Sequence, residues 1–135
     1  VHRILTERNE RIAVQQAESE ICRIASLNDC GLPILDLVFL GMGEDGHVAS
    51  LFPSDTEALE SKAVYRAVTG SKPPPRRITL GFPALAAARE VWVLISGQGK
   101  AEALRASLLE TGTTPLAKVL QSRTHTEIFT DFDLA

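Results

Sequence analysis

Apolar residues recur along the chain at two spacings, one typical of helices and the other of strands. Between Thr6 and about Leu27 they follow helical spacing, while polar and charged residues fill the other positions. This pattern predicts an amphipathic helix that Thr6 caps. Ala101, Leu104 and Leu108, at i, i+3 and i+7, predict another helix near the end of the chain.

Short apolar runs predict the strands. Asp36–Leu40 and Val91–Ile95 are almost wholly apolar, which is typical of parallel strands buried on both faces. Three further runs are rich in strand-forming residues, and the last of them suits an edge strand. These runs are Ala63–Val68, Ile78–Leu80 and Glu127–Thr130.

The intervening segments predict helices. Leu85–Arg89 suits a helix, and VASLF after the first glycine loop suits a short helix that Pro53 ends. Strands therefore alternate with helices, which predicts an α/β fold with an open, mostly parallel sheet and helices packed over it. With 135 residues, 44% of them hydrophobic, we expect residues 1–135 to form a single domain.

Charge and cysteine content exclude several classes of function. The formal net charge is −3, with 14 basic and 17 acidic residues interspersed, so we expect neither nucleic acid nor a membrane as a partner. No apolar stretch approaches the length of a membrane span. Cys22 and Cys30 match neither a metal motif nor a disulfide framework, so we expect a reducing, cytoplasmic location and no metal site.

The loop GMGEDGH, which follows the first buried strand, carries the densest candidate chemistry. Ligands of open α/β sheets bind at the carboxyl ends of the strands, where this loop begins. Gly43 and Gly46 let the backbone approach a ligand, while Glu44, Asp45 and His47 place three titratable groups within four positions.

His47 is our candidate general base. An imidazole exchanges protons near neutral pH, and Asp45 is close enough in sequence to orient it or to help hold a water molecule. Alternatively, His47 caps a following helix or fills a polar gap. Its place beside glycines at the end of a strand favours the catalytic interpretation.

The same loop also satisfies the dinucleotide-binding pattern G-x-G-x-x-G, but that interpretation fits poorly. The pattern needs an acidic residue at the end of the next strand, and here that strand runs into Thr69-Gly70. Glu44 and Asp45 would also repel a pyrophosphate.

Two clusters of basic residues are candidates for binding phosphate. Lys100 follows a glycine-rich turn at the start of a predicted helix, where free N–H groups and a cation favour an anion. Arg76 and Arg77 follow the rigid Pro73–Pro75 segment, and arginine holds phosphate through paired hydrogen bonds. Alternatively, Lys100 is a solvated first-turn residue and the arginines form a charged strand end.

Three segments resemble the 6-phosphogluconolactonase family. They are DLVFLGMGEDGHVASLFP from Asp36, KPPPRRITLGFPAL and VWVLISGQGKAEAL, and they occur in the family's order. The resemblance implies a three-layer α/β fold, an open and mostly parallel sheet with helices on both faces, which is shared with glucosamine-6-phosphate deaminases and ribose-5-phosphate isomerases. Members of the family are close to twice as long, so it also implies that residues 1–135 are the carboxy-terminal part of a longer catalytic domain.

The resemblance implies roles for individual residues. His47 corresponds to the base that activates water against the lactone carbonyl, with Asp45 beside it, and Lys100 belongs to the phosphate site. Arg77, rather than Arg76, is expected to face the substrate. We expect Gly43, Glu44 and Gly46 to contribute to substrate binding.

The implied reaction is hydrolysis of 6-phospho-D-glucono-1,5-lactone, a small-molecule partner, without any cofactor. Two alternatives remain open: a deaminase or isomerase acting on an amino-sugar phosphate, and a non-catalytic module that binds sugar phosphates. The deaminase branch has a similar loop but ends the following run in Asn-Glu-Pro, whereas this chain has Ser50-Leu51-Phe52-Pro53, a difference that favours the lactonase.

Overall fold

The computed structural model describes residues 1–70 and 73–134, which form an α/β fold. No helix in this described part of the chain is long and apolar enough to cross a membrane. The helices and strands are, in chain order, α1 (Glu10–Ile24), β1 (Ser26–Leu27), β2 (Pro33–Ile34), β3 (Leu37–Gly41), α2 (Glu57–Glu60), β4 (Tyr65–Thr69), β5 (Arg76–Leu80), α3 (Phe82–Ala87), β6 (Glu90–Ile95), α4 (Ala101–Leu108), α5 (Pro115–Gln121) and β7 (Glu127–Thr130).

The central sheet is parallel and has the strand order β3-β6-β7. Phe39 lies opposite Trp92, and Leu94 lies opposite Phe129. All three strands run the same way, so their carboxyl ends meet at one edge, as the sequence predicted for an α/β fold. β4 and β5 form a separate antiparallel hairpin.

One face of the parallel sheet forms the hydrophobic core. Helices α3, α4 and α5 cover it, because each presents apolar residues at helical spacing towards the β-branched and leucine side chains of the strands. The residues buried in this cluster include Val38, Leu40, Val91, Val93, Ile95, Leu85, Leu104, Leu116 and Val119.

The opposite face of the sheet is exposed, so the expectation that Asp36–Leu40 is buried on both faces is wrong for this chain. Leu37 and Phe39 alternate with buried residues along β3, and Phe39 is 60% exposed. The rings of Phe39, Trp92 and Phe129 form a row across the three strands, with centroid spacings of 5.7 Å and 5.5 Å. An apolar run does not show by itself which of its side chains are buried against another part of the protein.

Helix α1 begins later than the apolar pattern predicted. Asn9, not Thr6, is its N-cap, and the Asn9 side chain accepts a hydrogen bond of 3.0 Å from the Arg11 N–H group. Asparagine is among the strongest N-cap residues, which explains the choice of start. At its amino-terminal end the helix is tied to β5 by an ion pair between Glu10 and Arg76.

The segment VASLF is not helical, which corrects the sequence prediction. Val48 instead forms bridges with Met42 and with Leu51, so the chain folds back on itself after the glycine loop. Ala49 adopts a left-handed conformation with φ of 52°, which an α-helix does not allow. Val48 and Leu51 are fully buried by this turn.

Helix α3 spans Phe82–Ala87 rather than Leu85–Arg89, because Pro83 in its first turn favours an early start. The guanidinium group of Arg123 donates hydrogen bonds to carbonyl groups at the carboxyl end of this helix, including those of Leu85 and Ala88 at 2.8 Å and 2.7 Å. Arg123 follows α5, a helix that the sequence analysis missed.

Candidate active site

The loop between β3 and Val48 is a tight turn at the carboxyl end of the sheet. The Gly43 N–H group donates to the His47 carbonyl oxygen at 2.9 Å, and the Gly46 N–H group donates to the Gly43 carbonyl oxygen at 3.0 Å. These bonds fix the loop that carries Glu44, Asp45 and His47.

Two glycines of the loop are required by its geometry. A side chain on Gly43 would overlap the His47 ring, so its absence makes room for the imidazole. Gly46 has φ of +78°, and a β-carbon there would lie 2.7 Å from the Thr114 β-carbon. The Gly46 carbonyl oxygen also accepts a hydrogen bond from the Leu116 N–H group at 3.0 Å, which fastens the loop to α5.

Asp45 holds the His47 ring. Its Oδ1 atom lies 2.6 Å from Nδ1 of the imidazole and 3.2 Å from the His47 backbone nitrogen. Burial alone would raise the pKa of Asp45, but the hydrogen bonds from the side chain and backbone of His47 outweigh it and lower that pKa.

An ionised carboxylate can only accept a hydrogen bond, so it favours the neutral tautomer of His47 in which Nδ1 is the donor and the proton-accepting lone pair lies on Nε2. The His47 side chain is 23% exposed, which leaves the ring within reach of solvent. A neutral imidazole in this tautomer can accept a proton at Nε2.

Phe52 links this pair to Arg77. The His47 and Phe52 ring centroids are 4.9 Å apart, and Cζ of Arg77 lies over the Phe52 ring at 5.5 Å from its centroid. Arg77 also donates to the Pro74 carbonyl oxygen at 2.8 Å. Arg76 points elsewhere, to its ion pair with Glu10.

Lys100 is the last residue of a short 3-10 helix, Gln98–Lys100, in a second loop, which follows the carboxyl end of β6. Gly97 has φ of +98° there, and Asp131, which follows β7, fixes the turn by accepting hydrogen bonds from the Ser96 hydroxyl at 2.5 Å and the Gly97 N–H group at 2.9 Å. These bonds lower the pKa of Asp131, first through Ser96 and then through Gly97, with a smaller contribution from the charge of Lys100.

The two loops approach each other at Gly99. A β-carbon on Gly99 would lie 3.9 Å from Oε1 of Glu44, so the carboxylate of the first loop stands beside the turn that precedes Lys100. Among the described residues, the structure thus joins Gly43, Asp45, His47 and Arg77 through direct contacts or through Phe52, whereas Lys100 is connected through Glu44 and Gly99.

Sequence reasoning missed three residues of this region: Phe52, Asp131 and Thr114. Asp131 follows a predicted strand, so the rule that sites form at the carboxyl ends of strands identifies it once β7 is known to be parallel. Phe52 was assigned to a helix that does not form. The contact of Thr114 with Gly46 gives no signal in the sequence, because it depends on tertiary packing.

Metal binding gains no support from the described residues. No group of three or more His, Cys, Asp or Glu side chains in 1–70 and 73–134 is arranged to hold a metal ion.

The family model of glucosamine-6-phosphate isomerases and 6-phosphogluconolactonases matches residues 1–129. The chain belongs to this family. Two similar relatives are the 6-phosphogluconolactonase of Mycobacterium tuberculosis, 53% identical over 77 residues, and that of Homo sapiens, 41% identical over 90 residues. These alignments cover 56% and 66% of the chain, but 31% and 35% of the respective relatives.

Solved structures of the family share the fold. A crystal structure of devB protein superposes with a TM-score of 0.87 at 28% identity, covering 98% of this chain and 56% of that one. The 6-phosphogluconolactonase of Trypanosoma brucei superposes with a TM-score of 0.79 at 27% identity, covering 89% of this chain and 50% of that one. The chain thus spans about half the length of these structures.

Proposed function

We propose that the His47 site hydrolyses 6-phospho-D-glucono-1,5-lactone to 6-phosphogluconate. The relatives that carry this activity in their names belong to the same family as this chain. The single observation that carries the proposal is the contact of 2.6 Å between Asp45 and Nδ1 of His47, which orients Nε2 as a base at the carboxyl end of β3.

In the proposed reaction Nε2 of His47 removes a proton from a water molecule, and the oxygen of that water attacks the lactone carbonyl carbon. The tetrahedral intermediate collapses by breaking the bond to the ring oxygen. The imidazolium returns its proton to that oxygen, which leaves an acid and a free hydroxyl group. Every proton is accounted for by one imidazole and one water, so the mechanism requires no cofactor.

The remaining site residues bind the substrate in this proposal. Arg77 and Lys100 neutralise the phosphate, the first as a planar fork and the second as a point charge. Glu44 accepts hydrogen bonds from sugar hydroxyl groups. The glycine loop, through Gly43 and Gly46, brings its backbone close to the sugar ring.

We further propose that residues 1–135 are one α/β unit, equivalent to the carboxy-terminal part of the longer catalytic domain of the relatives. The superposition on about half of each solved structure supports this interpretation. The proposed reaction takes place in the cytoplasm, in keeping with two unpaired cysteines.

The test is lactone hydrolysis by the chain and by its His47→Ala variant, after subtraction of the spontaneous rate. We expect His47→Ala to lower the catalysed rate by about a hundred-fold or more, the usual contribution of a general base. His125→Ala is the matched control, because His125 is exposed and its Nε2 atom lies 3.6 Å from Oε1 of Glu127. Glu127 begins β7, whereas the site lies at the carboxyl ends of the strands. Its rate should equal that of the parent.

Other outcomes would favour the alternatives. Equal rates for the parent and His47→Ala would remove His47 from the mechanism. Release of ammonia from glucosamine 6-phosphate would indicate the deaminase activity. Binding of 6-phosphogluconate without any hydrolysis would indicate a module that holds sugar phosphates.

A further inference from the structure

Phe52 stands between the two side chains to which the proposed reaction gives different tasks. The His47 ring packs against the phenyl ring of Phe52 at an interplanar angle of 49°, and the Arg77 guanidinium also lies over this phenyl ring. His47 belongs to the glycine loop and Arg77 to the start of β5, so the ring is one contact between these separate segments. A hydrogen bond of 3.1 Å from the Ser50 N–H group to Oγ1 of Thr79 is another contact of this region with β5. These two contacts with the Phe52 ring therefore limit the distance between the imidazole and the guanidinium.

The chain leaves room for this ring at Gly70, which follows β4. A β-carbon on Gly70 would approach Cε2 and Cζ of Phe52 to 3.1 Å and Nε of Arg77 to 3.5 Å. The ring is therefore confined by backbone on one side, and the buried Leu51 next to it anchors its own backbone. A confined ring is a stiff spacer, because a phenyl side chain has two rotatable bonds and loses little entropy when both are fixed.

A spacer of this kind has a direct use in the proposed reaction. In this substrate the carbonyl carbon C1 and the carbon C5 both flank the ring oxygen, and C5 bears the C6 phosphate. The distance between a phosphate-binding cation and a base must therefore match the short span between these two groups. Asp45 holds the imidazole and the Pro74 carbonyl oxygen holds the guanidinium, but neither of these contacts connects the two groups to each other. Misplacement of a reacting group by about 1 Å is enough to lower a rate about a hundred-fold.

We propose that Phe52 is a positioning residue that sets the separation and orientation of the His47 imidazole and the Arg77 guanidinium. The inference rests on the proposed function of the His47 site. Phe52 itself takes no part in bond making. Its ring keeps Nδ1 of His47 directed at Asp45 and keeps the guanidinium over the phenyl face.

The experiment compares Phe52→Leu, which keeps apolar bulk without a flat face, with Phe52→Tyr, which keeps the ring. Phe82→Leu is the matched control, since Phe82 is also a partly buried phenylalanine but packs against the hydrophobic core. Two quantities are measured for each variant: the kcat and KM of lactone hydrolysis, and the ¹⁵N chemical shifts of the His47 ring nitrogens. The nitrogen shifts report which nitrogen carries the proton and require no turnover.

We expect Phe52→Leu to lower kcat/KM by about ten-fold or more through both kcat and KM, and Phe52→Tyr to restore it to within about two-fold. In Phe52→Leu the two ring-nitrogen shifts should move towards each other, because the imidazole no longer holds one tautomer against Asp45. Phe82→Leu should leave kcat, KM and the nitrogen shifts unchanged.

Each contrary result has a distinct meaning. Nitrogen shifts of Phe52→Leu that match those of the parent would overturn the positioning role, whether or not the chain turns over substrate. Unchanged kcat and KM in Phe52→Leu, beside an inactive His47→Ala, would overturn it and leave the proposed function standing. A parent that neither hydrolyses lactone nor binds 6-phosphogluconate would overturn the proposed function, and the nitrogen shifts would still decide the role of Phe52.

Discussion

Asp45 and His47 show how much a single residue can do by fixing its neighbour. The two residues are separated by one glycine, and the turn through Gly46 with φ of +78° brings the carboxylate back to the imidazole. The carboxylate thus selects the tautomer in which Nε2 is free to accept a proton. In the proposed reaction the charge of Asp45 also stabilises the imidazolium that forms when that proton arrives.

Replacing Asp45 by asparagine tests this role. Asp45→Asn keeps the size of the side chain but removes its charge, and its amide can present a donor to Nδ1 and so favour the wrong tautomer. We expect kcat for lactone hydrolysis to fall by about ten-fold or more while KM changes little, because the lost interaction grows in the transition state.

The matched control for this variant is Asp29→Asn, in the exposed turn between β1 and β2. Its kcat should equal that of the parent. A rise in KM at constant kcat in Asp45→Asn would mean that Asp45 binds the substrate and does not orient the base.

The residue scale also shows what a sequence can reveal about a site. The pairing of Asp45 with His47 could be predicted, because residues two positions apart in a glycine turn are necessarily near each other. The contact of Phe52 with Arg77 could not, since it depends on the way the β4–β5 hairpin packs against the turn after the glycine loop.

At the scale of helices and strands, a partly buried ion pair connects the segment after Phe52 to the β4–β5 hairpin. Asp55, just before α2, accepts hydrogen bonds of 2.7 Å and 3.2 Å from Arg66 of β4, and the two side chains are 21% and 13% exposed. The same carboxylate accepts a hydrogen bond from the Ala58 N–H group at 3.1 Å and so holds the start of α2. The segment after Phe52 is thereby fastened to the hairpin that carries Arg77.

Because of this ion pair, we expect part of the free energy of unfolding to be lost at acid pH. The hydrogen bond from Arg66 is the main cause that lowers the pKa of Asp55, with burial opposing and the charge of Arg66 adding to it. A carboxyl group with a lowered pKa in the folded state stabilises the fold above its ordinary pKa, near 4, and loses this contribution as the pH falls through the lowered value. Asp55→Asn should therefore reduce the free energy of unfolding by about 2 kcal/mol at pH 7.

Urea unfolding measured between about pH 7 and 3 checks this prediction. The difference in unfolding free energy between the parent and Asp55→Asn should narrow as the pH falls below about 4. Asp133→Asn, an exposed aspartate near the end of the chain, should show no such difference. A difference that stays constant down to acid pH would mean that the charge of Asp55 contributes nothing.

The elements themselves were predictable to different degrees. β3, β6 and α4 follow directly from apolar runs and helical spacing, because packing against one core imposes those periods. The supposed helix over VASLF failed because the bridges of Val48 with Met42 and Leu51 override local propensity. Helix α5 was missed although Thr114 caps it and Pro115 opens it, a pattern that is typical of a helix start.

At the scale of the whole molecule, the most unusual feature is the uncovered face of the parallel sheet. The alternation along β3 and β6 assigns one set of side chains to the core and leaves the other set exposed, including Phe39 and Leu94, which is 48% exposed. A parallel sheet is normally covered on both faces. The sequence could predict apolar strands but not which of their faces this chain covers, since an apolar run does not identify the segment that packs against it.

The uncovered face predicts how the chain behaves in solution by itself. A contiguous row of Phe39, Trp92 and Phe129 rings should bind the dye 1-anilinonaphthalene-8-sulfonate and promote self-association. Phe39→Thr removes the aromatic ring at the β3 end of the row but keeps a residue that favours strands, so it should weaken both effects without unfolding the sheet. Burial of a phenylalanine is worth about 2 kcal/mol, so the association constant should fall by about ten-fold or more.

Leu109→Thr provides the control for this last prediction. Leu109 is 59% exposed, almost as much as Phe39 at 60%, but it follows α4 and lies outside the aromatic row. Sedimentation velocity and dye fluorescence of the two variants therefore separate a specific apolar face from general exposure of hydrophobic residues. Equal effects of the two substitutions, or a parent that stays monomeric and binds no dye, would show that this face does not drive self-association. In that case the contacts among the three rings would be enough to stabilise the exposed aromatic row, and the chain would need no partner to cover its sheet.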